Sequence, residues 1–116
     1  MTIAHSLDTL VRACALTDLE VERGRAALFG KTQIALFLLA DGTVHAVANL
    51  DPYSGAQVMS RGIVGTRDGA PTVASPMHKQ VFDLRTGVCL DEPEVTLGRW
   101  DVRVVDDVVW LRREGA

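Results

Sequence analysis

The sequence predicts an all-β fold, and two observations carry that expectation. Turn-forming residues recur at short intervals along most of the chain, and the segments between them are rich in Val, Leu, Ile and Phe. Helices need apolar residues three and four apart over ten or more positions, whereas short branched runs bounded by turns suit strands. Residues 10–16 read as a first strand, ended by the polar Thr17-Asp18-Leu19-Glu20. Residues 25–29 form a second, closed by Gly30-Lys31, and residues 33–39 a third. Asp41-Gly42 then gives the strongest short hairpin signal, leading into a strand over 43–49. A long loop covers 50–61. Strands at 63–66 and 71–74 flank a second hairpin at Arg67-Asp68-Gly69-Ala70. A short loop over 75–79 precedes Val81-Phe82-Asp83, and Arg85-Thr86-Gly87 turns the chain into Val88-Cys89-Leu90. The last pair, 100–105 and 108–111, is joined by Asp106-Asp107. The one helix candidate is 18–23, a turn or two at most. A β-sandwich or small barrel accommodates this series, with function expected on its two prolonged loops.

Composition narrows the function classes. A chain of 116 residues fits one domain (1–116, core about 10–111), and 47% hydrophobic with 23% charged residues is enough for a packed core. The longest apolar stretch, 34–40, is too short to cross a bilayer, so no membrane partner is expected. The first six residues lack the basic and apolar regions of a secretory signal, which predicts a cytoplasmic protein. Net charge is −3, the twelve basic residues are scattered, and six aromatic residues are present, which excludes a nucleic-acid partner. Cys14 and Cys89 are far apart and read as buried small hydrophobes, since two thiols cannot build a four-cysteine site. Ser75, His78 and Asp83 can be drawn as a hydrolase triad, but no nucleophile elbow or oxyanion loop accompanies them. No catalytic, cofactor-binding or metal site is therefore assigned.

The two loops carry a resemblance. Asn49-Leu50-Asp51-Pro52-Tyr53-Ser54-Gly55-Ala56 and the run from Ala74 through Ser75-Pro76-Met77-His78-Lys79-Gln80 to Phe82-Asp83-Leu84-Arg85-Thr86-Gly87 resemble the two cluster-binding loops of Rieske iron–sulfur domains. There the first loop carries Cys-Pro-His and the second Cys-Pro-x-His ahead of Phe-Asp-Leu-x-Thr-Gly. The resemblance covers roughly 10–111 and implies a Rieske-like antiparallel β-sandwich. It places Asp51 and Ser75 at the thiolate positions, Tyr53 at the first imidazole position and His78 at the second. Both thiolates are lost, and hard oxygen donors do not replace them in an iron–sulfur cluster, so none is expected.

With Ser60-Arg61-Gly62-Ile63-Val64-Gly65, the same loops look like the small subunit of assimilatory NAD(P)H-dependent nitrite reductase. That resemblance implies a chain inactive by itself that supports a large subunit carrying flavin, an iron–sulfur centre and sirohaem. The large subunit would reduce nitrite to ammonium. The alternatives are a cluster-free interaction module of another oxidoreductase and a Rieske-type electron carrier. The expected partner interface is the tip made by Asp51, Pro52, Tyr53, Ser54, Ser75, Met77, His78, Lys79 and Gln80. Tyr53, Met59 and Met77 have two readings: apolar plug in the space of the missing cluster, or interface. Trp100 and Trp110 are expected in or beside the core of the C-terminal hairpin.

Overall fold

Nine strands make up the regular structure of residues 10–77 and 79–113, the part of the chain described by a computed structural model. They are β1 (Val11–Ala15), β2 (Gly24–Phe29), β3 (Thr32–Leu38), β4 (Val44–Ala48), β5 (Ile63–Arg67), β6 (Ala70–Ala74), β7 (Val81–Asp83), β8 (Arg99–Val105) and β9 (Val108–Arg113). Six of them form one sheet in the order β1-β9-β8-β4-β3-β2, and β5-β6-β7 form a second. Neighbouring strands are antiparallel throughout. β1 and β2, at opposite edges of the larger sheet, come into contact, so that sheet curls on itself. No described helix is long and apolar enough to cross a membrane.

The turns follow from local chemistry. Asp68-Gly69 and Asp106-Asp107 each close a two-residue hairpin with both residues at positive φ (53° and 81°, 49° and 62°), the conformation that matches strand twist. Asp41-Gly42 lies in a three-residue loop closed by Leu39 N–H donating to Thr43 O at 2.9 Å.

The strand β3 explains why the fold has two core layers. Ile34, Ala35, Leu36 and Phe37 are all fully buried, because both of its faces are covered. Ala35 and Phe37 join Val47, Met59, Val73, Phe82, Leu84, Cys89 and Leu97 between the two sheets. Ile34 and Leu36 join Cys14, Ala46, Trp100, Val109 and Leu111 inside the curl. Both cysteines are buried free thiols. Trp100 is core, stacked obliquely against Phe29, whereas Trp110 is half-buried on β9.

Two sequence expectations need correction. The 18–23 helix is instead a 3₁₀ turn at Leu16–Asp18, because Val21 is taken up by a parallel bridge to Leu38. Residues 88–90 do not form a regular strand. Cys89 bridges Phe82 while Val88 bridges Thr96, so the segment divides its hydrogen bonds between two neighbours.

Within the long loop a 3₁₀ turn, Met59–Arg61, packs tightly under β2. A Cβ at Gly24 would collide with the Ser60 carbonyl oxygen and come within 2.7 Å of the Phe37 ring. Gly24→Ala should therefore cost about 1–3 kcal/mol, read as a lower midpoint in chemical denaturation of the purified chain.

Candidate functional site

The two prolonged loops leave different sheets, one after β4 and one after β6, and meet at one end of the molecule. Their internal hydrogen bonds repeat. Asp51 N–H donates to Ala56 O at 2.8 Å, and Ser75 N–H donates to Gln80 O at 2.9 Å. Gly55 N–H donates to Asp51 O at 2.8 Å, and Lys79 N–H donates to Ser75 O at 2.9 Å. Tyr53 N–H donates to Asp51 Oδ1 at 2.9 Å, and Met77 N–H donates to Ser75 Oγ at 3.2 Å. The fifth residue of each loop is left-handed, Gly55 at φ 77° and Lys79 at φ 64°. Lys79 thus holds a backbone position that glycine fills in the first loop. The only sequence signal of this likeness is the proline after Asp51 and after Ser75, too little to read as a repeat.

Asn49 anchors the first loop. Fully buried, it donates from Nδ2 to Gln33 Oε1 at 3.0 Å and Gln57 O at 3.2 Å, and accepts from Ser60 N–H at 2.7 Å. Residue-by-residue reading of the chain overlooked it, because one partner lies on β3 and the other two lie 8 and 11 residues further along the chain.

The loops are joined by their first residues. Ser75 Oγ donates to Asp51 Oδ2 at 2.5 Å, and both residues are buried. Burial pushes the Asp51 carboxyl up, but the Ser75 hydroxyl, the Tyr53 N–H and Ser54 outweigh it and hold the group below the ordinary carboxylate range. Asp51 and Ser75 therefore support the tip from within and are not part of its surface.

Around this bond the three ambiguous side chains take different roles. Met59 is fully buried between the sheets. Tyr53 packs against the same cluster, its ring 6.4 Å from that of Phe82. Its hydroxyl donates to Glu92 Oε1 at 2.6 Å and lies 3.6 Å from Cys89 Sγ. The Glu92 bond, with burial and Cys89 adding, raises the Tyr53 phenol above its ordinary range. Met77 is 53% exposed, Pro52 and Lys79 are also exposed, and Ser54 and Gln80 are half-buried. Gln80 Oε1 is buried without a partner among the described residues. Cys89 is the buried small residue that the sequence predicts, whereas Glu92 went unassigned because it sits in no loop motif.

His78 lies outside the described residues. The triad drawing fails on its other members, since the Ser75 proton goes to Asp51 and Asp83 is engaged by Arg85 at 3.2 Å. The Phe82–Gly87 signature has a purely architectural explanation. Phe82 and Leu84 fill the core, Asp83 Oδ1 accepts from Arg85 N–H at 2.7 Å, and Asp83 O accepts from Gly87 N–H at 2.7 Å. Gly87, at φ 79°, lies so close to Leu97 O that a Cβ would be 2.5 Å from it.

These residues do not fit a two-iron cluster. The oxygens at the two thiolate positions share a proton, the other Asp51 oxygen is occupied by Tyr53 N–H, and the Tyr53 hydroxyl is directed to Glu92. Neither cysteine substitutes, because Cys89 is fully buried between the sheets and Cys14 lies in the other core layer. The arrangement serves to hold two loops in one fixed tip.

The consequence is measurable. Removing the donor in Ser75→Ala leaves a buried carboxylate short of a partner and should cost about 1–3 kcal/mol in urea denaturation. The depressed Asp51 pKa gives stability that is present above the unfolded value, about 3.9, and lost as pH falls through the lower folded value. Asp41 and Asp83 are depressed as well but act alike in both proteins, so the Asp51 contribution is the difference: the wild type should lose stability below about pH 4 more steeply than Asp51→Asn does.

Comparison with known proteins agrees with this geometry. Residues 9–112 match the Rieske-like [2Fe-2S] domain family. The nitrite reductase (NADH) small subunit of Escherichia coli K12 is 37% identical over 100 residues, covering 85% of this chain and 93% of the relative. A Mycobacterium tuberculosis crystal structure, assigned as an NADH-dependent nitrite reductase small subunit, superposes with a TM-score of 0.88 at 45% identity, covering 93% of this chain and 97% of that one. A segment of the Klebsiella oxytoca nitrite reductase [NAD(P)H] large subunit is 41% identical over 98 residues, 84% of this chain but 10% of that protein. The ferredoxin of carbazole 1,9a-dioxygenase from Nocardioides aromaticivorans shares the fold at a TM-score of 0.77, covering 91% of this chain and 99% of that one, with 22% identity. With a Rieske-like scaffold whose ligand positions are given over to a hydrogen-bonded clasp, the chain belongs to the small-subunit family of NAD(P)H-dependent nitrite reductases.

Proposed function

We propose that the chain is a cluster-free scaffold subunit of a cytoplasmic, assimilatory nitrite reductase, docked on the large subunit through its two-loop tip. The large subunit carries the flavin, the iron–sulfur centre and the sirohaem, and reduces nitrite to ammonium with NAD(P)H. This chain binds none of these groups and passes no electrons. The observation that carries the reading is the buried Asp51–Ser75 bond, which keeps the tip assembled by oxygen chemistry where a cluster would need soft ligands. The tip so held offers an exposed thioether, Met77, beside Pro52 and the half-buried Tyr53, with Lys79 among them, the make-up of a small interface core and rim. The Klebsiella relative supports the partner, because there a domain of this kind lies within the large-subunit chain itself.

Two measurements test the reading. The isolated chain, purified without oxygen, should contain neither iron nor acid-labile sulfide and should reduce no nitrite. A stoichiometric two-iron spectrum or turnover free of large subunit would defeat it. Met77→Asp should weaken binding to purified large subunit by about 2 kcal/mol, or roughly thirtyfold. Because Met77 is exposed, its melting temperature should stay at the wild-type value, and Arg103→Glu on β8 should leave both quantities unchanged. Unaltered affinity in Met77→Asp would remove the tip from the interface.

A further inference from the structure

Strand register decides what shares an end with the tip. β4 runs towards the first loop, and the pair Val47↔Arg99 sets the start of β8 at that end. Trp100↔Arg113 and Val11↔Leu111 then set the end of β9 and the start of β1 there as well. On the other side of β4, Ile34↔Ala48 and Leu28↔Gln33 bring the Gly30-Lys31 turn to the same end. In the smaller sheet, Ile63↔Ala74 places the start of β5 beside the strand that leads into the second loop. The described chain therefore enters and leaves the larger sheet at the tip end. The turns at Asp41-Gly42, Asp68-Gly69 and Asp106-Asp107 close the opposite end.

The two ends differ in surface. Of eight exposed large hydrophobic side chains among the described residues, five stand at the tip end: Val11, Leu28, Leu50, Ile63 and Met77. The carboxylate of Glu92, also at the tip, is engaged by the Tyr53 hydroxyl. At the opposite end the three hairpin turns expose Asp41, Asp68, Asp106 and Asp107. Aspartate is depleted in interfaces, and exposed apolar side chains gain most from being covered.

The dimensions suit one contact. β9 and β1 lie two and three strands from β4, or about 10 and 14 Å at the usual strand spacing. A footprint of standard size, about 800 Å² per partner, is roughly 28 Å across, so one centred on the loops reaches the chain ends. The Klebsiella relative bears on the occupant. Its matched segment is 10% of that large subunit, so the rest of the polypeptide joins a domain of this kind through one or both of the domain's ends. On this fold those ends open beside the tip.

We propose that the large nitrite reductase subunit covers the whole of this end, from Val11 and Leu28 across the two loops to Ile63. The inference rests on the partner of the proposed function and extends its contact beyond the loops, so the two can fail separately.

Affinity of the full chain for purified large subunit, with the melting temperature of each variant, tests this. Leu28 and Ile63 are 69% and 73% exposed, so Leu28→Asp and Ile63→Asp should melt as the wild type does. Each should bind about tenfold more weakly. Val105→Asp at the opposite end, where the side chain is 53% exposed, should leave affinity unchanged. A photoreactive residue in place of Lys31 should cross-link to the large subunit, and one in place of Asp106 should not. Unaltered affinity in either Leu28→Asp or Ile63→Asp would overturn the proposal, as would cross-linking from position 106 alone. If Met77→Asp weakens binding in that case, the contact is confined to the loops and the tip reading stands. If both variants act and Met77→Asp does not, the covered end stands and the tip reading falls. Cross-linking from position 31 to a second copy of this chain, in the absence of large subunit, would assign the end to self-association and overturn the proposal too.

Discussion

The hydrogen bond from Ser75 to Asp51 is the constraint on which the functional end of this molecule depends. Its two residues are 24 apart in sequence and begin loops that leave different sheets, so the bond ties the sheets together at the tip. A buried carboxylate is tolerated only when its oxygens are satisfied, and here one oxygen is met by the Ser75 hydroxyl and the other by the Tyr53 N–H. That requirement couples the loops. Ser75 cannot move away without orphaning a charge, and Asp51 cannot turn outwards without releasing Tyr53. A metal cluster would also join two such loops, but with soft donors and a redox function. The same mechanical task is done here with a single proton.

The duplicated loop geometry and the Phe82–Gly87 turn show why a scaffold of this kind survives loss of its ligand set. The bonds that the two loops have in common run between backbone groups or from backbone to the first side chain, and none needs a metal. The turn is fixed by Asp83 and by the closeness of Gly87 to Leu97. The residues that carry the family pattern are therefore largely those that build the loops. Asp51, Tyr53 and Ser75, at positions that the resemblance assigns to cluster ligands, are engaged in hydrogen bonds of the clasp instead.

The tip presents one exposed thioether, Met77, on loops whose first residues are tied together from within, so its outer surface is set by a bond that solvent does not reach.

The sequence alone determined the fold class and the positions of most strands and their turns. These are local properties: short branched runs, and Asp-Gly and Asp-Asp turns between them. It missed what depends on register between distant segments. Residues 18–23 were helical by local chemistry, yet Val21 is claimed by Leu38. Residues 88–90 looked like a strand, yet two neighbours divide them. The separate fates of Met59 in the core, Tyr53 against it and Met77 outside it were also undecidable locally, since all three are apolar or amphipathic loop residues. Only packing could place Glu92 on Tyr53, 39 residues away, or Asp51 on Ser75, because such bonds exist only once the two sheets have closed on one another.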